Sequence, residues 1–210
     1  IFRQLPWRKK LEYFREHFLI PVAAAAIIIA LVTFLAVRFI SPDARPALYA
    51  AVVDDALTTS EATNLQNELE DKLGVSVIID DYFDMDKDGL TKLQTMISSK
   101  QIDVIIAPHK IFKQLAGYGY LTNLESTVSK SDNTKLDDAT VQLKGFSDAD
   151  DDGIDSSGTG KGASKSYGLK LSDAAGWTSI ADSDHSALIG IATGTKNTGT
   201  AQRFIDWLYR

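Results

Sequence analysis

The 210-residue chain contains no cysteine. That absence excludes disulfides, thiolate metal sites, a cysteine nucleophile and a lipid-modified cysteine anchor. Histidine is nearly as scarce, with three residues. Neither His109 nor His185 has a nucleophile or second ligand close in sequence, so both read as surface histidines. Also missing are a Ser-His-Asp pattern, a nucleophile elbow, a paired-carboxylate context and an HExxH helix. No motif supports catalysis, and the chain reads as non-enzymatic.

Charge is absent over one long run. From Phe18 to Val37, FLIPVAAAAIIIALVTFLAV carries 20 residues without an ionisable side chain. That is the length a helix needs to cross about 30 Å of hydrocarbon, and the run shows no polar stripe. Pro21 falls in its first turn, where a missing N–H costs little. The run is longer than a signal-peptide core, so it reads as a retained anchor. Arg3, Arg8, Lys9, Lys10 and Arg15 precede it, whereas Arg38 and Arg45 follow closely. The positive-inside bias then places the N-terminus in the cytoplasm. The expected organisation is a cytoplasmic basic segment 1–17, a transmembrane helix 18–40 in contact with the lipid bilayer, a linker 41–46 and an extracytoplasmic domain 47–210. The localisation that follows is the cell membrane, single-pass, with the C-terminal domain outside.

Residues 1–45 hold seven Lys/Arg and three Asp/Glu, or +4, so the overall charge of −6 leaves −10 for residues 46–210. An acidic domain argues against nucleic acid and against docking on anionic lipid. Its length suffices to bury a core without staples. Apolar segments 47–53, 75–80 and 102–107 read as strands, and helical periodicity falls between and after them. Thr58-Thr59-Ser60-Glu61 is a capping-box pattern ahead of Ala62, Leu65, Leu69 and Leu73. Strand readings follow at 140–143, 167–172 and 187–193, with an amphipathic helix at the end carrying Ala201, Phe204, Ile205 and Leu208. Strands apolar on both faces, alternating with helices, predict an α/β fold: a mostly parallel sheet with helices on both faces.

Three stretches carry a resemblance. DVIIAPHKIFKQLAGYGYLTNL (103–124), KSYGLKLSD (165–173) and ALIGIATGTKNTGTAQRFIDWL (187–208) resemble segments of the extracellular solute-binding proteins of ABC transporters, in that family's order. The resemblance implies the first lobe of a two-lobed fold. In the family a second lobe intervenes after the YGL strand; here only residues 174–186 separate the pieces. Thirteen residues are too few, since one βαβ crossover takes about 30. Lys170 also stands where the family usually has proline. The chain resembles a single lobe without its partner lobe, which leaves half a ligand cleft. Loops at the carboxyl ends of the strands carry Asp54, Asp55, Asp81, Pro108, His109 and Lys110, an expected protein-interaction surface. The resemblance implies an accessory or scaffold subunit of an integral-membrane complex, an ABC permease being the natural candidate. The alternative is a membrane-tethered small-ligand or calcium-dependent binding module.

Two aspartate clusters bear on calcium. Asp84, Asp86, Asp88 and Gly89 match positions 1, 3, 5 and 6 of a calcium loop, but Thr95 stands where the bidentate glutamate belongs. Asp148, Asp150, Asp152 and Gly153 repeat the pattern, with Thr159 at the glutamate position. Either cluster is at most a weak extracellular site, and no cofactor is expected otherwise. A phosphate loop at GTGKG fails, because it would need Gly at 155 and Ser or Thr at 162, which are Asp155 and Gly162.

Overall fold

The computed structural model of the protein describes residues 19–40, 45–125, 135–147 and 158–210. The basic segment 1–17 and the cluster Asp148, Asp150 and Asp152 lie outside the described residues. Two compact units divide the chain, Ile1–Arg45 and Pro46–Arg210.

In the first unit the apolar run forms α1 (Leu19–Ile40), with its side chains described over residues 21–33. Among the described residues no helix is long and apolar enough to cross a membrane. This overturns the expected single-pass cell-membrane localisation, and with it the bilayer contact through residues 18–40.

The second unit alternates strand and helix. It runs β1 (Leu48–Val53), α2 (Thr59–Leu73), β2 (Val77–Phe83), α3 (Gly89–Ser98), β3 (Val104–Pro108) and α4 (His109–Gly117). After these come α5 (Lys135–Ala139), β4 (Thr140–Lys144), β5 (Ser164–Lys170), α6 (Ala175–Thr178), β6 (Ala187–Ile191) and α7 (Thr198–Leu208). Local chemistry sets the boundaries. Glu61 N donates to Thr58 Oγ1 at the head of α2, and Gly74 closes it in the left-handed conformation with φ 65°.

One six-stranded sheet has the order β2-β1-β3-β6-β5-β4. β1 pairs in parallel with β2 and β3. The β3–β6, β6–β5 and β5–β4 pairings are antiparallel. The α/β expectation therefore holds, but the sheet is mixed where a mostly parallel one was expected. The reason is length: residues 171–186 form a 3₁₀ turn, α6 and loops, and so short a link returns β6 beside β5 in the opposite direction. No second lobe lies in that link, as the thirteen-residue spacing implied.

Strand alternation builds two cores. Leu48, Ala50 and Val52 of β1, Val104 and Ile106 of β3, and Ile189 and Ile191 of β6 face α2, α7 and Trp177. Ala51, Val53, Ile105, Ala107 and Leu188 face α3 and α4. Trp177 is fully buried and its indole N–H donates to Asp184 O at 3.0 Å, so it is a packing residue. On the other face the ring of Phe112 rests where two adjacent strands have no side chain. A Cβ on Gly168 would lie 2.6 Å from that ring, and one on Gly190 2.7 Å.

GTGKG is a packing segment. Gly158 and Gly160 take φ 64° and 70°. A Cβ on Gly160 would lie 2.5 Å from Lys144 O, and one on Gly117 would lie 2.2 Å from Gly158 O. The glycines let this chain segment cross α4 and β4 at backbone contact.

The Phe112 notch gives a direct prediction. Gly168→Ala, whose added Cβ would meet only the Phe112 ring at close range, should cost about 1–3 kcal/mol of unfolding free energy by overpacking. Adding Phe112→Leu should recover part of that loss, because the two positions touch. Denaturant unfolding of the single and double variants measures both; additive losses would contradict the notch.

Candidate functional site

The carboxyl ends of β1 and β2 form a corner that the loops after them build outward. Asp54 and Asp55 follow β1 directly, both left-handed with φ 50° and 53°. Aspartate tolerates that region better than most residues, yet two in succession is a strained arrangement. Cross-links to β2 hold it. Asp54 N donates to Phe83 O at 3.0 Å, and Met85 N donates to Asp54 Oδ1 at 2.7 Å. Thr59 Oγ1, at the head of α2, donates to Asp81 Oδ2 at 2.6 Å.

The second loop, residues 84–89, wraps on its own first residue. Asp86 N donates to Asp84 Oδ1 at 2.9 Å, and Gly89 N to Asp84 O at 2.9 Å. A Cβ on Gly89 would come within 2.3 Å of that carbonyl, which explains the glycine without a metal. Lys87 Nζ pairs with Asp84 Oδ2 at 2.6 Å, and this hydrogen bond holds the Asp84 carboxyl below the usual range. Both side chains are exposed, so the pair adds little stability. Among the described residues no group of three or more His, Asp or Glu side chains is placed to hold a metal ion. Asp84, Asp86 and Asp88 share the loop, but Asp84 is turned to Lys87.

Beneath the corner is a better-buried network. Tyr49 OH donates to Asp80 Oδ2 in a short hydrogen bond. Lys92 Nζ meets the same oxygen at 2.8 Å and lies 4.0 Å over the Phe83 ring. Tyr82 N donates to Asp80 Oδ1 at 3.0 Å. Burial pushes the Asp80 carboxyl up, but the bonds from Lys92, Tyr49 and Tyr82 outweigh it and leave it lowered. Burial, then the Asp80 contact, raises the Tyr49 phenol far above its ordinary value. Tyr49 stays a neutral donor, and Lys92 a fixed strut.

An open cleft of about 470 Å³ lies over this network. Its walls include Asp55, Asp81, Asp84 and Asp88 against Lys87 and Lys92, four carboxylates to two ammonium groups. Tyr82 stands on its wall, 71% exposed. The structure thus brings together Asp54, Asp55 and Asp81 of the expected interaction surface. Pro108, His109 and Lys110 lie at the β3–α4 junction and are not among the cleft's walls; His109 and Lys110 are exposed.

One polar centre was not foreseen. Asp103, 2% exposed, accepts from Tyr49 N at 2.9 Å, from Asn197 Nδ2 at 3.2 Å and from Thr195 Oγ1. It ties β1 to the loop before α7 at the end of the sheet away from the cleft. Its sequence signal is the one charged residue opening IDVIIA, with Thr195 and Asn197 far downstream. Its bonds are structural.

No family model matches the chain, and no curated protein does. Among solved structures, an ABC substrate-binding protein from Listeria monocytogenes, in complex with cycloalternan, is similar at 22% identity and a TM-score of 0.32. The match covers 42% of this chain and 23% of that one. So partial a likeness says nothing of this chain's ligand. The α/β lobe rests on its own strand order and connections.

The Asp80 network makes stability depend on pH with a defined sign. A carboxyl lowered in the folded state contributes stability above its unfolded value, about 3.9, and loses it as pH falls through the folded value. Asp80→Asn should be less stable than wild type at neutral pH. The gap should narrow as pH drops below about 4. Denaturant unfolding at several pH values measures it; a gap independent of pH would refute the assignment.

Proposed function

We propose that residues 46–210 form a non-enzymatic binding lobe whose β1–β2 corner docks on another protein of a larger assembly. Tyr82 carries this reading. It is the most exposed large apolar side chain described in residues 46–210, at 71%, and it stands in a wall otherwise rich in carboxylates. An amphipathic aromatic among charges suits an interface anchor, and the acidic surround suits a basic partner surface. Tyr82 sits near the end of β2, and Asp80, Lys92 and Asp54 brace that strand end and the loops beside it, so the surface is pre-organised. The family resemblance makes an ABC-type permease complex the natural partner, with this lobe as accessory or scaffold subunit. The loops gathered at the carboxyl ends of β1 and β2 are the surface this lobe offers for such contact.

A second reading is favoured by the cleft itself: a small-ligand module, taking a cationic solute or weakly held calcium. Any cation there would compete with Lys87 for Asp84.

The two are separated by crosslinking in the native cell. A photoreactive residue at position 82 should give one dominant protein adduct, identified by mass spectrometry as a transporter component. The same residue at Lys113, on the exposed side of α4, should not. No adduct at 82, or equal adducts at both positions, would sink the docking reading. Heat on titrating calcium into the full chain, lost in Asp84→Asn, would favour the second.

A further inference from the structure

β2 is an outer strand of the sheet, bonded to β1 on one side only. An edge strand turns alternate N–H groups outward, and a free row of them is a template for another chain. The stretch VSVII (75–79) sharpens the hazard, with four β-branched residues in five, no charge and no proline.

Two of those outward groups are occupied. Val77 N donates to Glu70 Oε1 at 3.0 Å, and Ile79 N donates to Gln66 Oε1 at 3.1 Å. With the Thr59–Asp81 contact, helix positions 59, 66 and 70 meet strand positions 81, 79 and 77 in reverse order. The lengths agree: α2 rises about 16 Å from 59 to 70, and the strand about 13 Å from 81 to 77. Gln66 and Glu70 are one turn apart on a single side of the helix. They sit beside the core face that Ala62, Leu65 and Leu69 bury. Tertiary packing of α2 does not require an acceptor at either place.

We infer that Gln66 and Glu70 are edge guards: they occupy the outward N–H groups of Val77 and Ile79 and so keep β2 from pairing with β2 of a second copy. The surface they hold closed is a strand-addition edge, and its natural occupant is the same strand of another molecule.

Hydrogen exchange on the full-length chain reads the guard directly. In wild type the Val77 and Ile79 amides should exchange at least about tenfold slower than exposed amides. Gln66→Ala should speed Ile79 and spare Val77, and Glu70→Ala the reverse. Exchange at the exposed rate in wild type would overturn the proposal even if a variant failed to fold. Light scattering then tests the consequence. Gln66→Ala/Glu70→Ala should at least about double its apparent mass, as copies pair through their edges. Asn67→Ala/Glu68→Ala, which removes the same charge from α2, should not. Equal masses for the two folded double variants would reject the guard.

Discussion

The central strands β1, β3 and β6 are buried on both faces, and the rest of the domain follows from that. A strand apolar on both sides must be covered on both sides, so α2 and α7 pack on one face and α3 and α4 on the other. Backbone polar groups inside are satisfied by the ladder. Polar chemistry is therefore displaced to the ends of the strands and to the sheet's outer edge. The acidic cleft sits at one end, the buried Asp103 ties the other, and α2 closes the β2 edge.

Position in that frame decides what each polar residue does. Asp80 and Asp103 are both partly or fully enclosed, and both serve the scaffold: one braces the cleft's floor, the other fastens the loop before α7. Asp55, Asp81 and Asp84 project where the loops leave the sheet, and they shape a surface. The same residue type thus holds the structure in one place and presents charge in another, according to whether donors or solvent face it.

Much of the fold was legible in the sequence. Apolar runs such as ALYAAVV and IDVIIA marked two-sided burial, and Thr58 with Gly74 bracketed α2. The thirteen residues 174–186 announced that no second lobe intervenes. Strand direction was not legible, because periodicity reports which faces are buried and not which way a strand runs. The antiparallel set of β6 came from the short link. The corner of Asp54, Asp55 and Asp81 was found by placing loops at strand ends. Tyr82 was missed, because the DYF stretch read as loop whereas β2 runs through it. The Asp103 centre joins residues more than ninety positions apart, a distance no local pattern spans. The apolar run at the N-terminus read as a membrane span, and among the described residues no helix meets that length and apolarity.

The central claim is that the β1–β2 corner is where this lobe meets another protein. Hydrogen exchange of the complex isolated from its native source, set against the free chain, tests it most directly. The account predicts slowed exchange in residues 54–59 and 81–92, with α7 and the β4 side unchanged. Protection confined to α7 or to the β4 edge, with the corner unchanged, would contradict it.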